Sequence, residues 1–187
     1  MFRGQQLANR ALHTLHDAGL RHLVYVGGHQ RPGMVLNAAH VADFHDVGPC
    51  ALRGVVAALQ HAAQGFERAM LLACDVPLVS SDTVARVLAA LNDDSTCQAA
   101  VATGSRDHWS CVATRCDVLP GLSDILRGGQ RSMHHAFGSL RLRRVAVEES
   151  EFVNVNTVAD LEAATRGDEH AAGDRAVAIT DDAGPRG

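Results

Sequence analysis

The stretch richest in usable chemistry is Ala69–Asp82, AMLLACDVPLVSSD. Asp75 follows the apolar run Ala69–Ala73, which has no polar alternation and so reads as a strand buried on both faces of a parallel sheet. In open α/β sheets, ligands bind just beyond the carboxyl ends of the strands, and the run delivers Asp75 to such a place. Pro77 has no amide hydrogen and ends the ladder. Ser80 or Ser81 offers a hydroxyl to cap a helix, and Val84, Val87, Leu88 and Leu91 mark that helix's buried face. A carboxylate held at such a turn is a hard oxygen ligand, suited to magnesium carrying a nucleotide's phosphates. The same pattern also fits an aspartate that only bonds neighbouring turn amides. Spacing alone leaves both readings open.

A second group lies late in the chain. Phe152-Val153-Asn154-Val155-Asn156 alternates with period two, so it reads as a strand with Asn154 and Asn156 on one face. Before it, Ile125–Val147 carries five arginines (127, 131, 141, 143 and 144) and no acid, in a chain of net charge −4. A local positive region in an acidic protein suits a phosphorylated small molecule better than nucleic acid; solvated helix and strand faces are the other account. All seventeen basic residues are arginine.

Other residue types offer less. Five cysteines (50, 74, 97, 111 and 116) are odd in number and form no CxxC pair. They read as buried free thiols of a reducing compartment. Eleven histidines make no HExxH and no Cys/His cluster, so a histidine metal site is not expected.

The elements that must position these residues follow from periodicity. Leu7–Ala18 reads as a helix stopped by Gly19, and Leu23–Val26 as a strand ending at Gly27-Gly28. Residues 29–50 are poorly periodic, with a short strand near Ala39–Ala42. Leu52, Val55, Val56 and Leu59 mark a helix closed by Gly65, and the strand and helix around Asp75 come next. Strands near Ala99–Ala102 and Cys111–Ala113 flank the polar turn Gly104–Asp107. Helical pieces at Asp117–Leu126 and Ser132–Phe137 lead to a strand over Leu140–Val147, then to the Phe152–Asn156 strand. Thr157 caps the last helix, with Asp160 completing an imperfect capping box. Alternating strands and helices predict an α/β domain with a mostly parallel sheet. Length suits one domain, placed at 1–165, while 166–187, rich in Gly, Ala, Asp and Arg, is expected to be a disordered tail. Aromatics are only 4 %, so the core must be mostly Ala, Val and Leu. No apolar run is long enough for a leader or a membrane span, and a cytoplasmic protein is expected.

Two segments carry a resemblance. Leu71–Leu88, LLACDVPLVSSDTVARVL, and Phe152–Leu161, FVNVNTVADL, resemble the molybdenum cofactor guanylyltransferases, the MobA family. Weaker matches are Gly4–Leu7, Ala51–Val55, Arg106-Asp107-His108 and Gly129–Ser132, and the likeness spans about residues 3–165. FVNVNT is its most specific piece. The Cys-Asp-x-Pro turn recurs in related nucleotidyltransferases, including a cytidylyl relative in which the late motif is usually aspartate-rich, so the two asparagines favour the guanylyl enzyme. The resemblance implies a Rossmann-like, three-layer, GT-A-like fold and transfer of GMP from magnesium-bound GTP to the terminal phosphate of molybdopterin, releasing pyrophosphate. It assigns magnesium to Asp75, nucleotide binding to Gly54 and Asp75, and substrate binding to Asn154, Asn156, Arg131 and His108. Arg131 would make a forked contact to phosphate. The implied partners are GTP, molybdopterin and molybdoenzyme maturation proteins, with no nucleic acid and no membrane. The alternatives are a related cytidylyl or nucleotide-sugar transferase, or an inactive remnant that binds molybdopterin or a partner.

The chain also departs from that family. The family opens with a strand and a glycine-rich loop, LAGGxSxRMGxDK, whereas this sequence starts at Met1-Phe2-Arg3-Gly4 and contains no lysine. The expectation is that the first strand and loop are missing, that both neighbouring strands are left with open edges, and that GTP binds weakly. Cys50-Ala51-Leu52 stands at the family's Gly-Pro-Leu turn, and Trp109 stands where proline is common.

Overall fold

The computed structural model describes residues 6–27, 37–43, 48–157, 159–160 and 176–179, the last group through its backbone only. Gly4, Gln5, Gly28 and most of the region beyond 160 lie outside the described residues.

Helix α1 (Leu7–Asp17) buries Leu7, Leu12 and Leu15. It ends where Gly19 takes φ +98° and the amide of Leu20 donates to the Leu15 carbonyl at 3.2 Å, the Schellman pattern that a left-handed glycine permits. Strand β1 (Leu23–Val26) is buried throughout, and β2 (Ala39–Val41) pairs parallel to it. Then come α2 (Ala51–Ala62), β3 (Arg68–Leu72) and α3 (Ser81–Asn92). The hairpin β4 (Ala99–Thr103) and β5 (Asp107–Arg115) turns through 104–106. A 3-10 turn leads into α4 (Leu119–Arg127), followed by α5 (Met133–Gly138) and β6 (Leu142–Ala146).

These strands form one sheet in the order β2-β1-β7-β3-β5-β4-β6, where β7 is Ala176–Ile179. Five of the seven strands share a direction; β5 and β7 run against them. Alternation along each strand sorts side chains into two cores. Tyr25, Met70, Leu72 and Ala100 pack with α1 and α3 on one face. Val24, Val26, Leu71 and Val101 pack with α2, α4 and α5 on the other. The result is the expected three-layer α/β domain.

Four expectations fail. β3, read as a strand of a parallel sheet, is antiparallel to both of its neighbours, β5 and β7. Ala176–Ile179, in the stretch expected to be disordered, is a central strand bonded to β1 on one side and β3 on the other. Both edges expected to be open are therefore paired, over two residues of β1 and four of β3. The cause is local. Ala176-Val177-Ala178-Ile179 is an apolar run of strand length, diluted by the Asp, Gly and Arg around it. The Phe152–Asn156 strand is also absent. A 3-10 turn covers Glu149–Phe152, and the chain then runs extended without ladder pairing. Its Val155 amide donates to the Asp75 carbonyl at 2.8 Å instead.

Candidate active site

Asp75 sits where β3 stops. The amide of Ala73 donates to the Ser110 carbonyl at 2.7 Å, the last bond before the chain turns. Ser80 caps α3, its hydroxyl accepting from the Thr83 amide at 3.1 Å. Glu151 fixes the turn from outside: its carboxylate accepts from the Ser80 amide at 2.7 Å and from the Thr83 hydroxyl at 2.9 Å. With the Val155 bond, two separate contacts tie the Asp75–Ser80 turn to the 151–155 segment.

Two adjoining clefts open at this end of the sheet. The first, about 220 Å³, is lined by Asp75, Gly54, Asp43, Cys50 and Asn154, among others. A Cβ on Gly54 would meet nothing within 4 Å and would take up cleft space instead, which is a reason to keep glycine there despite a cost of roughly 1 kcal/mol in a helix. Cys50 and Ala51 bring the amino end of α2 to the same cleft, and such an end favours anions. Asp43 is neutralised by Arg53 at 2.6 Å.

The second cleft, about 710 Å³, is lined by Ser105, Arg106, Asp107, His108, His134, Phe152 and others. Trp109, Ser110 and Asn154 line both clefts. His108 is buried and stacked on Phe152, with ring centroids 4.1 Å apart at 17°. Its Nε2 lies 3.4 Å from the Glu149 carboxylate without hydrogen-bond geometry. Glu149 is held below the usual carboxylate range chiefly by the Ser105 amide. Asp107 is also held low, chiefly because Arg144 donates to both carboxylate oxygens at 2.9 Å.

Of the residues singled out in the sequence, Asp75, Gly54, Asn154 and His108 lie on the clefts. Asn156 and Arg131 line neither. The Asn156 amide donates to Asp160 at 3.0 Å, within the Thr157–Asp160 capping box. Arg131 is exposed and donates to the Gly48 carbonyl at 3.3 Å. Asn154 and Asn156 separate because period-two reasoning requires a strand, and none forms. Ser110, Glu149 and Glu151 carry no role in the sequence pattern. The acid run Glu148-Glu149-Ser150-Glu151, directly after the arginine-rich stretch, was the available signal for the last two.

No cluster of three or more His, Cys, Asp or Glu side chains able to hold a metal occurs among the described residues. The five cysteines are free thiols, four of them buried.

The three-layer domain thus places an aspartate beyond a strand end, on a cleft that adjoins a second. The chain belongs to the family of the MobA-like NTP transferase domain, whose model matches residues 1–145. A probable molybdenum cofactor guanylyltransferase of Mycobacterium avium (strain 104) is 30% identical over 116 residues, covering 62% of this chain and 57% of that protein. The chain thus spans little more than half the length of the curated relatives it matches. The molybdopterin-guanine dinucleotide biosynthesis protein A of Archaeoglobus fulgidus superposes with a TM-score of 0.57 at 23% identity, over 69% of this chain and 67% of that one. The 2-C-methyl-D-erythritol 4-phosphate cytidylyltransferase of Thermus thermophilus superposes with a TM-score of 0.68 at 17% identity, over 90% of this chain and 91% of that one. At those identities the likeness shows the fold. No helix among the described residues is long and apolar enough to cross a membrane.

Proposed function

We propose that this chain transfers GMP from magnesium-bound GTP to the terminal phosphate of molybdopterin. The observation that carries the reading is the pair of adjoining clefts, with Asp75 on the first and Asn154 on both. A transfer between two substrates needs two sites that meet at the reacting atoms. The guanylyltransferase names of the curated relatives support the choice of substrates.

In this reading GTP occupies the first cleft, with its phosphates toward the amino end of α2 and its bulk against the open side of Gly54. An oxygen of the acceptor phosphate attacks the α-phosphorus, the bond to the bridging α–β oxygen breaks, and pyrophosphate leaves. Such displacement depends on positioning and charge rather than on covalent help from the protein. When bound, magnesium neutralises phosphate charge, and Asp75 is the residue that would hold it. The Asn154 amide donates to a phosphate oxygen between the clefts. Glu151 and Val155 keep the Asp75 turn and the asparagine segment in register.

Base choice is tested by competition. With α-labelled GTP, magnesium and molybdopterin, unlabelled GTP should suppress transfer of the label far more strongly than equal CTP. Equal or stronger suppression by CTP would move the chain to the cytidylyl reading.

A further inference from the structure

The ladder between β4 and β5 breaks in one place. Val101 faces Val112, but Ala102 faces His108, so residues 109–111 lie outside the register. A bulge of this kind bends its strand and re-aims the side chains it carries. Here it brings Trp109 and Ser110 to the boundary of the two clefts. The indole is half-buried, and α5 holds it from behind. Phe137 lies 5.8 Å away at 37°, and His134 meets it edge-on at 6.0 Å and 70°. It is the only tryptophan in the chain.

A ring packed in this way is a fixed flat surface with little conformational entropy left to lose. Around it, the second cleft is lined by the polar side chains of Ser105, Arg106 and His108, while Thr103 and Arg144 already occupy the Asp107 carboxylate. One flat apolar wall with polar groups about it suits a planar heterocycle, read on its face by stacking and on its edge by hydrogen bonds. An acyclic polyol phosphate would leave the indole unused.

We propose that Trp109 is the specificity-determining wall of the acceptor site, stacking on the planar ring of the acceptor and selecting it over acyclic polyol phosphates. The inference rests on the reading that the acceptor is a pterin, and it assigns the discrimination to one residue.

The test is calorimetric binding of 6-carboxypterin and of erythritol 4-phosphate to the 187-residue chain and to W109F, W109L and W109A, with thermal melts alongside. W109L keeps apolar volume against Phe137 but has no π face. The wild type should prefer the pterin. W109F should bind it within about threefold of wild type, and W109L and W109A at least tenfold more weakly, the scale of a lost aromatic stack. Saturable quenching of the wild-type indole by the pterin reads the contact without any substitution. Equal pterin affinity in all four proteins overturns the wall and leaves the guanylyl reading standing. A wild-type preference for erythritol 4-phosphate overturns both. Binding of neither compound overturns the wall and leaves the transfer reading to its own assay.

Discussion

Asp107 shows how one ion pair on a cleft couples stability to pH. Arg144 grips both of its oxygens and holds its pKa below the ordinary value. Its contribution to stability is therefore fully present above the unfolded carboxylate pKa of about 3.9. It is lost as pH falls through the lower folded value. Asp107→Asn should destabilise the protein at neutral pH, and the gap from wild type should shrink as pH drops to about 3. Urea unfolding across that range measures it, and a gap that stays constant or widens would contradict the assignment. Cys111 makes the opposite point. Burial pushes its thiol well above the ordinary range, so it is inert packing rather than a nucleophile.

At the level of elements, the joint between α3 and the 151–155 segment decides whether Asp75 and Asn154 stay together. Glu151→Ala removes the acceptor for the Ser80 amide and for the Thr83 hydroxyl, and Thr83 is fully buried. Each buried group left unpaired costs about 1–3 kcal/mol. We expect a stability loss of that order in denaturant melts, with Glu151→Gln recovering part of it through its remaining acceptor oxygen. A change under about 0.5 kcal/mol in Glu151→Ala would show that the clamp is dispensable. This joint was invisible in the sequence for a physical reason. The alternation of Phe152–Asn156 is real, but its backbone bonds to a turn rather than to a strand, and pattern cannot say where amides find partners. By contrast, the place of Asp75 at a strand end was legible because three local signals agreed: a buried strand, a proline in the turn and a serine that caps the next helix. The bulge at Trp109 left no periodic trace.

Across the whole molecule, the two-faced sheet was legible from strands without polar alternation, and the two cores follow from it. The C-terminal strand was not, since composition averaged over the tail hides four apolar residues. Those four join the β2-β1 pair to the rest of the sheet. Val177→Pro removes a backbone donor and a ladder position at the centre, which sheets tolerate only at edges or bulges. The melting temperature should fall by about 5 °C or more, from roughly 2–4 °C per kcal/mol in a chain of this size. An unchanged melt would show that Ala176–Ile179 adds nothing to the sheet.

The role proposed for Asp75 in guanylyl transfer is tested by following label from α-labelled GTP into a molybdopterin dinucleotide, with wild type and Asp75→Asn compared at saturating magnesium. We expect molybdopterin-dependent transfer by the wild type. The variant should lose about a hundredfold or more at an unchanged melting temperature, because a neutral amide is a poor magnesium ligand. No transfer by the wild type would overturn the guanylyl reading, and a variant that turns over like the wild type would remove Asp75 from the reaction.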